Sequence, residues 1–128
     1  RLKGIKEWNF GLFEAQPERL QPKFRPGATS FEDLFVPYGG EGVDQVGERM
    51  LVTLTEVMEQ AGAEPVLAVS HGGAMWAFYL KIAAQTLDPK VRFGNCAICH
   101  YHYELGHFKL AEVIDPLTGD VYKCETSL

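Results

Sequence analysis

The chain has 128 residues, 46% of them hydrophobic, which is one domain's worth of material or less. Its net charge of −5 excludes nucleic acid as the default partner and leaves room for an anionic small molecule in a local positive pocket. The sequence has no apolar run of membrane-spanning length and no charged-then-apolar signal pattern, and its three cysteines suggest no disulfide framework, so a cytoplasmic setting is expected.

Residues 1–14 (RLKGIKEWNFGLFE) mix aromatic and charged side chains without a sustained period. They predict a short strand or extended segment, with Gly11 as a turn. Pro17, Pro22, Pro26 and Gly27 restrict residues 15–30 to a helical turn or two. A second short turn over residues 31–35 is expected to be capped by Ser30, and residues 36–40 (VPYGG) read as a loop. Residues 15–40 are therefore read as a proline-rich cap or lid.

From Val43 the pattern changes. Val43, Val46, Met50, Leu54, Val57, Met58 and Ala61 recur at spacings of three and four, which predicts an amphipathic helix stopped by Gly62. Residues 66–70 (VLAVS) read as a short buried strand, and residues 75–84 as a helix apolar on nearly all sides. Residues 95–104 predict a strand, Leu105-Gly106 a tight connection, and residues 107–114 its hairpin partner. The tail after Asp115-Pro116 is expected to fray. Strand, helix, strand, helix and hairpin in this order predict an α/β fold.

The chemistry concentrates where the buried strand ends. Ser70-His71 forms a polar turn there, and Gly72-Gly73 open a helix, the arrangement by which α/β proteins build sites at strand C-termini. The first turn of such a helix has unpaired N–H groups and a positive dipole end, so with His71 aimed at the same spot it is a candidate phosphate site. Glu7 lies among Trp8, Phe10 and Phe13, where partial desolvation would suit a proton donor. On Glu7 alone the plainer reading, an exposed glutamate on an edge segment, prevails. Glu41 follows two glycines and is expected to complement a helix dipole.

Other patterns carry less. Ser70 beside His71 suggests a serine hydrolase, but the nucleophile-elbow motif needs glycine where Ala68 stands. Cys96-Ala97-Ile98-Cys99-His100 matches the spacing for haem attachment and places two cysteines at zinc-like spacing. Strand alternation would point Cys96 and Cys99 to opposite faces, so no metal or haem is expected. His100 and His102 share a face, with Tyr101 and Tyr103 on the other, and no third ligand accompanies the histidines.

Three stretches in order carry a resemblance: Glu7-Trp8-Asn9-Phe10-Gly11-Leu12-Phe13-Glu14, then Gly39-Gly40-Glu41 with Arg49, then Val69-Ser70-His71-Gly72-Gly73. Across residues 1–95 the chain resembles the histidine phosphatase superfamily, the phosphoglycerate-mutase-like group. The resemblance implies a three-layer α/β/α sandwich with a mostly parallel sheet, incomplete at its N-terminus and ending in a β-hairpin. In that family a histidine in an N-terminal Arg-His-Gly motif attacks the phosphoryl group and becomes a phosphohistidine. A second histidine, matched by His71, binds the phosphoryl oxygens with the adjacent backbone, here Gly72. A glutamate, matched by Glu7, protonates the leaving oxygen and then activates water. The implied activity is a phosphomonoesterase that needs no metal or other cofactor and acts on a small phosphorylated substrate.

The departure from the family pattern is at the nucleophile. No Arg-His-Gly occurs, and the histidines are His71, His100, His102 and His107. The resemblance thus implies the C-terminal portion of a catalytic domain, inactive alone, with apolar faces left bare. Mutases of the family carry Glu-Arg-x-Tyr-Gly at the acid. Here Trp8 and Phe10 hold those positions, and apolar rings do not bind a carboxylate as arginine does. A phosphatase with Trp8 and Phe10 lining the substrate pocket is therefore favoured over a mutase. A serine hydrolase using Ser70 and a non-catalytic binding module of the same fold compete with it. Residues 15–38 would lie over the site, Lys23 and Arg25 are expected in water, and the strand at residues 95–104 would be the edge for a homodimer.

Overall fold

Two helices, α1 (Val43–Ala61) and α2 (Gly72–Ile82), and three strands, β1 (Ile98–Glu104), β2 (His107–Ile114) and β3 (Val121–Lys123), make up the regular structure of a computed structural model that describes residues 1–28, 30–83 and 88–124. The chain divides into two units, Arg1–Lys81 and Ile82–Leu128.

In the first unit α1 runs where the apolar spacing predicts it. Val46 and Met50 are buried on its inner face, and Gly62 closes it at φ 64° by donating its N–H to the Met58 carbonyl. Ala74, Ala77, Phe78 and Tyr79 of α2 are buried, as its apolar composition requires. The helices meet closely at Gly47, where a Cβ would stand 2.9 Å from the Ala77 carbonyl oxygen. Beside this crossing Lys81 pairs with Glu48 at 3.2 Å. Ala84 of the predicted helix lies outside the described residues.

Two expectations for this unit are corrected. Of the short strand or extended segment expected over residues 1–14, no strand forms: 3₁₀ turns at Lys3–Ile5 and Gly11–Phe13 flank a stretch without regular structure at residues 6–10. The carbonyls of Gly4, Lys6 and Glu7 turn onto the Arg49 guanidinium, which removes them from any ladder. Residues 66–70 are not a buried strand: Leu67 is 89% and Val69 80% exposed, and the stretch pairs with no strand among the described residues. An all-apolar strand is buried only when neighbours cover its edges and both its faces, and the described residues supply none. Residues 15–40 contain further 3₁₀ turns at Glu18–Leu20 and Val36–Tyr38, and the Ser30 hydroxyl accepts the Glu32 N–H at 3.0 Å.

The second unit is an antiparallel sheet in the order β1-β2-β3. β1 and β2 form the predicted hairpin, paired from Ile98↔Ile114 to Glu104↔His107, with an irregularity between His100 and Tyr101. Leu105 (φ 51°) and Gly106 (φ 78°) supply the two left-handed residues that a two-residue hairpin turn needs. β3 lies in the tail expected to fray, where the pairs Ile114↔Val121 and Val113↔Tyr122 hold it to β2. The Tyr122 hydroxyl donates to the Asp88 carboxylate. The content is thus α/β, but the sheet among the described residues is antiparallel, and the parallel sheet of a three-layer sandwich is not formed by them. No helix among the described residues is long and apolar enough to cross a membrane.

Candidate active site at the start of α2

Glu7 lies between the two N-terminal 3₁₀ turns, and its carboxylate reaches the first turn of α2. Oε1 accepts the N–H groups of Trp8 at 2.9 Å and Ala74 at 2.8 Å, and Oε2 accepts the Gly73 N–H at 3.3 Å. The sequence predicts N–H groups of this turn free for an external anion. Two of them instead hold Glu7, an anion supplied by the chain itself. The long bond at Oε2 leaves that oxygen the less committed of the two. Glycine leaves room for the carboxylate here: a Cβ at position 73 would sit 2.8 Å from Glu7 Oε1 and 3.4 Å from the Phe31 ring, so the Glu7 side chain would have to shift.

His71 stands immediately before α2. Its carbonyl accepts the Met75 N–H at 2.8 Å, the first bond of the helix, and the residue is exposed. At Gly72 an added Cβ would meet nothing within 4 Å, so the backbone beside His71 is open to approach. The Ser70 hydroxyl donates to the Ile5 carbonyl at 2.7 Å, which ties the exposed run to the first 3₁₀ turn.

Behind Glu7 lies a second layer built on Arg49. Its Nε and Nη2 donate to the two oxygens of Glu41 at 2.8 and 3.0 Å. Nη1 donates to the carbonyls of Gly4 at 2.8 Å and Lys6 at 2.9 Å, and Nη2 also to that of Glu7 at 3.1 Å. Glu41 further accepts the Asn9 N–H at 2.9 Å, and its carbonyl accepts the Trp8 indole N–H at 2.7 Å. Burial alone would raise the Glu41 carboxyl. The Arg49 and Asn9 hydrogen bonds and the charges of Arg49 and Lys6 outweigh it and hold the group below the usual carboxylate range. The sequence predicts that Glu41 serves the α1 dipole; its carboxylate is instead engaged with Arg49 and Asn9.

A cleft of about 660 Å³ opens here, with Glu7, His71, Trp8, Phe10, Lys3 and Lys6 on its walls. It brings together four of the five residues singled out from the sequence, the fifth being Gly72 at its edge in the chain. Trp8 is only 2% exposed and packs edge-on against Phe31, with ring centroids 5.2 Å apart. Phe10 meets Phe31 at 5.3 Å and Phe35 at 4.8 Å, and Phe24 meets Phe31 at 5.2 Å. Residues 15–40 are thus fastened to the site through aromatic rings, which proline content alone does not reveal. Arg25, expected in water, pairs with Asp33 at 3.0 Å.

In the second unit His100 and His102 share a face as read, with rings 4.8 Å apart, and His100 lies 3.4 Å from Glu112. Cys96 is not in the strand with Cys99: it sits at φ 61° in the turn before β1. No group of three or more His, Cys, Asp or Glu residues is placed to hold a metal ion among the described residues. Burial, with the charge of Cys124 second, pushes the Cys99 thiol up to about 12. Sequence reasoning missed the roles of Arg49 and Phe31. Arg49 is visible as a basic residue eight positions after Glu41, but three of its partners are backbone carbonyls, which leave no mark on sequence.

A sequence model of the histidine phosphatase superfamily (branch 1) matches residues 1–116, and so extends through β1 and β2 as well as the cleft. A metal-independent phosphoserine phosphatase of Arabidopsis thaliana is 31% identical over 93 residues, which are 73% of this chain and 37% of that protein. The match therefore spans little more than a third of that relative's length. No solved structure matches the chain. With nearly its whole length matched, and the glutamate and histidine of the pattern opening on one cleft, the chain belongs to the histidine phosphatase superfamily.

Proposed function

We propose that the protein carrying this chain is a phosphomonoester phosphatase that works through a phosphohistidine. The observation that carries the reading is the shared cleft of Glu7 and His71, built at the first turn of α2. In the first step a histidine nitrogen attacks phosphorus and the ester P–O bond breaks, while Glu7 passes its proton to the leaving oxygen. In the second, water attacks the phosphohistidine and Glu7 takes the water's proton, which releases phosphate and restores both groups. His71 and the open backbone at Gly72 hydrogen-bond the phosphoryl oxygens as charge moves onto them.

The nucleophile, in this reading, comes from a segment N-terminal to Arg1, and a strand of that segment covers the apolar run at residues 66–70. Two observations favour this: the run is exposed, and the match spans 37% of the relative's length. The substrate is a small phosphate ester, with phosphoserine the first to test in view of that relative's name. Phe10 and the nearly buried Trp8 stand where the mutases of the family carry arginine and tyrosine, and the relative is named a phosphatase, which together favour hydrolysis over a mutase reaction.

The test is turnover of phosphate esters by the full-length protein. Glu7→Gln and His71→Ala are each expected to lower kcat by roughly 10²–10⁴-fold. Vanadate is expected to inhibit and a chelator to leave the rate unchanged. Activity that disappears with the chelator, or survives His71→Ala intact, contradicts the reading.

A further inference from the structure

We infer that the Glu41–Arg49 pair is a positioning device for the proton donor: Arg49 fixes the backbone from which Glu7 projects, and Glu41 fixes Arg49. The inference rests on the reading of Glu7 as the acid. A guanidinium has five N–H donors in one rigid plane. All five are used here, two on the Glu41 carboxylate and three on the carbonyls of Gly4, Lys6 and Glu7. Those carbonyls lie in the stretch that ends on the acid itself, and the bond to the Glu7 carbonyl sets the peptide plane next to its side chain.

Glu41 grips the chain on the other side of the acid. Its carboxylate takes the Asn9 N–H and its carbonyl the Trp8 indole N–H, so residues before and after Glu7 are tied to one ion pair. α2 holds the carboxylate end through Gly73 and Ala74. The acid is therefore fixed at both ends of its side chain, and a misplacement of about 1 Å at a reacting group costs on the order of 10²-fold in rate. An ordinary exposed ion pair contributes little. This one differs because its donors orient a backbone segment, which a lysine, with three donors on one nitrogen, cannot span.

The experiment compares two substrates in the full-length protein. An alkyl phosphate such as phosphoserine or β-glycerophosphate leaves as a poor alkoxide and needs the acid. 4-Nitrophenyl phosphate leaves readily without a proton. Arg49→Lys is expected to lower kcat/KM, which reports the step that expels the leaving group, at least about tenfold more on the alkyl ester than on the aryl ester, with the same sign as Glu7→Gln. Glu41→Gln, which preserves shape and the acceptor for Asn9, is expected to give a smaller loss of the same kind and serves if Arg49→Lys fails to fold. Equal losses of kcat/KM on both esters in the folded variants, or no loss at all, overturn the inference and make the pair merely structural. A Glu7→Gln variant that loses kcat/KM equally on both esters instead overturns the reading of Glu7 as the acid, which is a separate outcome.

Discussion

At the scale of single residues the site depends on what is absent at position 73. A Cβ there would stand 2.8 Å from Glu7 Oε1, so Gly73→Ala must displace the carboxylate. Alanine is favoured over glycine within a helix by about 1 kcal/mol. The variant is therefore expected to keep its fold and lose about 10²-fold in kcat, and circular dichroism with steady-state rates would check both. His71 before two glycines is a local pattern in the sequence, whereas Glu7 among aromatic residues reads locally as an exposed edge glutamate and is singled out only by the resemblance; both open on one cleft. Arg49 is visible only as a letter at a fixed spacing, since its carbonyl partners could be any residue type. The cysteines separate by environment as well: the half-buried Cys99, with its thiol pushed up to about 12, is expected to react with iodoacetamide far more slowly than the exposed Cys96, as peptide mass analysis would show.

At the scale of elements, α1, α2 and the hairpin follow from apolar spacing and turn residues, because their hydrogen bonds close within the element or with the next one in sequence. The N-terminal turns and the run at residues 66–70 do not: the turns are held by Arg49, distant in sequence, and the run pairs with no strand among the described residues. The link between α1 and the N-terminal turns is the Glu41–Arg49 pair, and it has a pH signature. The Glu41 carboxyl is held below its ordinary value in the native state, so in acid the unfolded chain binds more protons than the folded one. Its stabilising contribution is fully present above the unfolded value, about 4.3, and is lost as pH falls through the depressed native one. Glu41→Gln should therefore lower the urea midpoint at pH 7 and progressively less as pH drops below about 4. A difference that stays constant down to about pH 3 would contradict this account of the pair.

At the scale of the whole molecule, the exposed run at residues 66–70 is where the proposed covering strand would act. Leu67 and Val69 are 89% and 80% exposed here, so substitutions to glutamate within this chain alone should change stability by no more than about 0.5 kcal/mol. On the proposed reading, in which a strand of a longer protein covers the run, Leu67→Glu or Val69→Glu there is expected to cost about 2–3 kcal/mol in chemical unfolding, and an unchanged stability would contradict that reading. The parallel sheet implied by the family resemblance is not formed by the described residues, among which this run pairs with no strand. The direct test of the phosphohistidine mechanism is to trap the intermediate in the full-length protein: mix it with a radiolabelled phosphate ester, quench in alkali, and map the labelled peptide. The mechanism predicts an acid-labile, base-stable label on a histidine N-terminal to Arg1, with none on His71 or Ser70. A label on Ser70 or His71, or turnover with no phosphohistidine, would contradict it.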